Sequence, residues 1–189
     1  MKKILTIFTL LISLSACVPA AFVAGATAGG AVVYENRPIK TIWQDRNITH
    51  RAQSRINRDK ELRNRTNISV ATFNHIVLLV GQAPMKQLRF RAVEIIKDIP
   101  HIKRICNQIV IRPPISATTR SKDAWITTKI KAAMLEKKGL HSTQIKVVTE
   151  NGVAYLMGLT TSSQGKLAAD TARKIKGVKK VVKLFEYIH

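Results

Sequence analysis

The stretch NGVAYLMG (151–158) decides the fold. Asn151 and Gly152 both tolerate positive φ, so they predict a tight hairpin turn. The apolar run behind them predicts a buried strand, and IKVVTE (145–150) supplies the strand in front. The same pattern stands earlier in the chain. NHIVLLVG (74–81) follows ISVATF (68–73), again a turn and an apolar run ending in glycine. Downstream, AVEIIKDIPHIKRI (92–105) parallels AADTARKIKGVKKV (168–181); upstream, Asp45 and Ile48 parallel Asp123 and Ile126. The offset is nearly constant throughout, so the simplest account is two copies of one module.

Each copy reads alike. A helix is predicted over 44–62 and over 122–138, the second stopped near Gly139. Two strands follow, at 67–73 and 76–81 and at 144–150 and 153–158. A second helix covers 85–98 and 162–175, and a last strand covers 102–111 and 178–187. The order is αββαβ, an α+β class in which two helices pack on a three-stranded mixed sheet. Pro113 and Pro114 end the first copy, and RPPISATTR (112–120) reads as the connection. The expected organisation is a leader at 1–16, a lipidated N-terminus and tether at 17–41, a first domain at 42–112, a linker at 113–120 and a second domain at 121–189.

Charge limits the partners. Thirty-two Lys and Arg stand against 11 Asp and Glu, a formal +21, which implies polyanions: nucleic acid or an anionic membrane surface. The N-terminus separates these. Lys2 and Lys3 precede an apolar run, Ile4 to Leu14, of signal-peptide length and too short to span a bilayer. Leu14-Ser15-Ala16-Cys17 then resembles the lipobox of bacterial lipoproteins, which implies cleavage before Cys17 and lipid on its new N-terminus. Val18 stands where inner-membrane lipoproteins commonly carry Asp, so the analogy implies an outer-membrane anchor facing the periplasm. An exported protein is not expected to meet nucleic acid. With Cys17 taken by lipid, Cys106 has no partner for an intrachain disulfide, and its strand-like surroundings predict a buried inert thiol.

The two modules resemble BON domains, and the whole chain resembles the dual BON-domain lipoproteins of the Gram-negative outer membrane. The resemblance is carried by WITTKI (125–130), TENG (149–152), LMG (156–158) and GVKKV (177–181), with VLLVGQ (77–82) in the first copy. The first copy departs at His75, in place of a turn glycine, and at Pro100-His101, where the second has Lys176-Gly177. The resemblance implies a non-enzymatic protein without cofactor that binds anionic phospholipid, such as phosphatidylglycerol or cardiolipin, and supports envelope integrity.

The first helix of the second copy can be read on its own. At about 100° per residue, Ile126, Ile130, Ala133 and Met134 form the core stripe. Trp125 falls outside it, with Thr128, Ala132 and Leu135 on a second small face bordered by Lys129 and Lys131. In the first copy Ile48, Ala52 and Ile56 form the core stripe, but Asn47 takes the place of Trp125 and the outer side carries His50, Arg51, Ser54 and Arg58. The first copy is therefore expected to lack the aromatic face. Tryptophan suits the membrane interface, and lysines reach phosphates. The residues expected to contact phospholipid, carried over from the resemblance, are Trp125, Thr128, Lys129 and Lys131, with Leu135 added from the helix face. The competing reading leaves Trp125 docked on the other module, or serving as a contact for outer-membrane assembly proteins in a periplasmic scaffold.

No catalytic constellation emerges. The carboxylates are scattered, with Glu35, Asp45, Asp59 and Glu61 the only loose cluster. His50, His75, His101, His141 and His189 show no metal-ligand spacing. GATAGG (25–30) lacks the lysine and flanking strand of a phosphate loop.

Overall fold

The structure, a computed structural model, describes residues 37–188. The leader, Cys17 and all but the last residues of the expected tether lie outside them.

Helix α1 (Ile39–Arg58) buries Asp45, Ile48, Ala52 and Ile56, the three- and four-residue spacing of one helical stripe. It starts inside the segment expected as tether. Its expected continuation to 62 is broken at Asp59, which is extended (φ −70°, ψ 116°) and caps a separate short helix, α2 (Lys60–Arg65). The Asp59 carboxylate accepts the Leu62 N–H at 3.0 Å. That bond, with the Arg91 guanidinium, holds the carboxyl below the usual carboxylate range. Strands β1 (Asn67–Phe73) and β2 (Ile76–Ala83), helix α3 (Lys86–Glu94) and strand β3 (Arg104–Ile111) complete the module. β2 is central, antiparallel to β1 and parallel to β3, so the α3 crossover is the connection the parallel pair requires.

The second module repeats this. Helix α4 (Ala117–Glu136) is capped by Ser116, whose hydroxyl accepts the Thr119 N–H, so the helix takes in the second half of the expected linker. A single 3₁₀ turn (Ser142–Gln144), which sequence reading missed, leads into β4 (Ile145–Glu150). Then come β5 (Val153–Thr160), α5 (Ser162–Arg173) and β6 (Lys180–Tyr187). The β4-β5-β6 sheet is again antiparallel then parallel. Both modules are the α+β, αββαβ arrangement that the repeat predicts, with the short α2 added after the first helix of the first module.

Both hairpin turns need two consecutive residues at positive φ: Asn74 (49°) and His75 (66°), Asn151 (49°) and Gly152 (77°). A buried carboxylate braces each turn. Asp45 accepts the N–H of Asn74 and of His75, both at 2.8 Å. Asp123 accepts those of Asn151 at 2.6 Å and Gly152 at 2.8 Å. A threonine pair repeats beside each brace: Thr49 to Thr72 at 2.9 Å, and Thr127 to Thr149 at 2.8 Å. The equivalence of Asp45 and Asp123 is therefore a shared device that locks the first helix to the hairpin.

Every residue of β2 is buried. Val77, Leu79 and Ala83 face the helices of their own module. Ile76, Leu78 and Val80 belong to a different apolar cluster, with Ala71 and Phe73 and, from the second module, Tyr155 and Met157. The two sheets thus meet face to face. Polar contacts rim this junction: Gln82 donates to Glu150 at 2.6 Å, Asn74 to Glu186 at 2.6 Å, and Lys146 to the Thr72 carbonyl at 3.0 Å. Burial pushes the Glu150 carboxyl and the Tyr155 hydroxyl up from their ordinary values. Cys106 is a half-buried free thiol packed against the same cluster.

Candidate functional site

The rotation of α4 about its axis determines what it shows to solvent. Asp123, Ile126, Ile130 and Met134 point inward. Asp123 is tied to the β4–β5 turn, and Thr127 is tied both to Thr149 and to the Asp123 carbonyl at 3.0 Å. These bonds join adjacent turns of the helix to the sheet, so the helix cannot roll without breaking them.

The opposite face is therefore held outward. Trp125 is 62% exposed and Leu135 64%. Thr128, Lys129, Lys131 and Ala132 are exposed as well. The Lys129 ammonium lies 5.1 Å from the centre of the Trp125 ring, a cation–π pair on the surface. Thr128 turns its hydroxyl back to the Ala124 carbonyl at 3.1 Å. Trp125 and Lys129 are thus brought together. Leu135 stands ten residues on, about 15 Å along the axis, and Lys131 borders the face from the far side. The modules meet through their sheets, and Trp125 is not in their junction.

The expectation that the first module lacks an aromatic face is corrected by the structure. Because α1 begins at Ile39, Trp43 lies within it and is 64% exposed, with Ile39 one turn earlier at 74%. The Arg46 guanidinium stands 5.7 Å from the Trp43 ring centre. Trp43 precedes Asn47, the counterpart of Trp125, by one turn and so shares its side of the helix.

Among the described residues no group of three or more His, Cys, Asp or Glu is placed to hold a metal ion. No described helix is long and apolar enough to cross a membrane.

The geometry defines a class: two αββαβ modules joined through their sheets, each presenting a first helix with an exposed tryptophan among cations. Residues 44–113 and 122–188 match the BON domain, and the chain belongs to that family. It is 32% identical over 188 residues to the outer membrane lipoprotein DolP of Haemophilus influenzae, covering 100% of this chain and 97% of that protein. It is 33% identical over 152 residues to the 21 kDa hemolysin of Actinobacillus pleuropneumoniae, covering 80% of this chain and 78% of the relative. To the osmotically-inducible protein Y of Escherichia coli it is 29% identical over 119 residues, with 61% and 59% covered.

Proposed function

We propose that the protein is a non-enzymatic envelope lipoprotein, anchored through lipid on Cys17 in the outer membrane and facing the periplasm. Its second domain, 121–189, binds anionic phospholipid, phosphatidylglycerol or cardiolipin, through α4, and this binding supports envelope integrity. The observation that carries the reading is Trp125. It is held outward on a rotationally fixed helix, with the Lys129 ammonium against its ring. An amphipathic ring inserts at the headgroup level, where its apolar body leaves water and its N–H stays wet. Lys129 and Lys131 then meet lipid phosphates, each contributing about 1 kcal/mol near an anionic surface. Thr128 and Leu135 complete the contact as a polar neighbour and a second apolar anchor.

Individually these contacts are weak. Anchoring confines the module to the membrane and raises its effective concentration there, so weak contacts suffice. Full-length similarity to an outer membrane lipoprotein supports the location. Co-sedimentation of the soluble form lacking residues 1–17 with vesicles tests the lipid contact. Phosphatidylglycerol vesicles are expected to bind it and phosphatidylcholine vesicles not, with affinity falling as salt rises. The Lys129→Glu/Lys131→Glu variant is expected to bind phosphatidylglycerol at least about thirtyfold more weakly. Undiminished binding by that variant would remove the α4 lysines from the site.

A further inference from the structure

We infer that the first module carries a second, independent site for anionic lipid headgroups, in the groove between α1 and the turn at 99–101. The groove encloses about 930 Å³, within the ~300–1,000 Å³ range of ligand sites. Lys40, Arg46 and Arg51 supply permanent cations, and among the described residues no carboxylate lines it. Among the described residues none of these three forms an ion pair with an Asp or Glu. Among the described residues their charge is therefore not neutralised.

The groove uses the face that α4 shows in the second module. Asn47, His50 and Arg51 line it, and they are the counterparts of Trp125, Thr128 and Lys129. The aromatic has moved one turn toward the N-terminus, to Trp43, and a guanidinium stands over it in place of an ammonium. Arginine holds a phosphate through two parallel N–H bonds, where lysine offers a point charge. Ile99 and Pro100 give the groove an apolar wall, and exposed Ile39 extends the apolar edge past Trp43. Cations above an aromatic–aliphatic floor suit a phosphodiester with its glycerol and first acyl carbons.

Charge complementarity alone would also admit an acidic polypeptide. Chain order favours lipid. α1 follows directly on the segment that the proposed anchor holds at the membrane, so lipid headgroups meet the groove at the highest effective concentration. To that extent the inference rests on the proposed anchoring, but not on the α4 contact.

The protein has two tryptophans, so each site has its own reporter. Full-length Trp125→Phe protein, which leaves Trp43 as sole emitter, is reconstituted into phosphatidylcholine vesicles containing brominated phosphatidylglycerol or, separately, brominated phosphatidylcholine. Trp43 emission is expected to fall several-fold more with the brominated anionic lipid, and Arg46→Glu/Arg51→Glu is expected to abolish the difference. Equal quenching by both lipids, or none by either, would overturn the site. A Trp43 response to added polyglutamate that exceeds its response to the anionic lipid would also overturn it and assign the groove to an acidic protein segment. The companion Trp43→Phe protein reports α4 through Trp125, so failure of either site is read separately.

Discussion

Gly81→Ala is expected to destabilise the first module by about 4 kcal/mol or more, lowering its melting temperature by roughly 15 °C or more. Gly81 sits in β2 at φ +127°, a region that L side chains rarely adopt. A methyl group there would lie 1.8 Å from the Asn67 carbonyl oxygen and 3.0 Å from the Ile68 Cα. Those atoms belong to β1, and Ile68 is the register partner of Gly81. They cannot yield without opening the β1–β2 ladder, on whose faces both the helix-side core and the inter-module cluster depend. Gly158, at the equivalent place in β5, has ordinary φ and would meet the Gln144 carbonyl at 2.6 Å, so Gly158→Ala is expected to cost less. Gly139 has open space but φ +77°, and Gly139→Ala is expected to cost only about 1 kcal/mol. Thermal unfolding by circular dichroism orders the three; equal melting temperatures would contradict the steric account.

Asp123→Ala is expected to cost about 3 kcal/mol or more and to disable the α4 face without touching it. The carboxylate is 5% exposed and accepts two backbone N–H groups of the β4–β5 turn. Removing it leaves both donors without this partner, the Gly152 N–H in a buried place and the Asn151 N–H in a half-buried one, and charge-assisted bonds are worth ~1.5–3 kcal/mol each. Asp123→Asn keeps one acceptor oxygen and is expected to fall between. Amide hydrogen exchange at Asn151 and Gly152 reports the brace directly. Exchange in Asp123→Ala as slow as in the natural protein would show that the turn holds itself.

How much of this was legible in the sequence depends on the scale of each device. The module order follows from the repeat and from strand and helix periods, which are local. The outward direction of Trp125 follows from helical spacing alone. Trp43 escapes the sequence reading because the apolar spacing starts the helix at 44, one residue past it. The local signal is Pro38, which takes the N-cap position without a side-chain cap bond and marks where the helix can open. The break at Asp59 also escapes the periodicity, although Asp is a preferred N-cap residue and Glu61 puts a second acid in the first turn that follows. The joining of the sheets has a local trace only in β2, where IVLLV is apolar at every position, which means a strand covered on both faces. The repeat makes Asp45 and Asp123 equivalent, but a carboxylate bracing a turn some thirty residues away is a tertiary contact, and no local pattern states it.

On the proposed function, the α4 face contacts anionic lipid through Trp125. The most direct test is the vesicle-binding isotherm of the soluble form lacking residues 1–17, natural sequence against Trp125→Ala, on phosphatidylglycerol and on phosphatidylcholine vesicles. Withdrawing the indole from the interface is worth about 2 kcal/mol, so a roughly thirtyfold loss of phosphatidylglycerol affinity is expected with the melting temperature unchanged. Equal affinities for the two proteins, or no binding by the natural sequence, would contradict the account and give the α4 face to a protein partner.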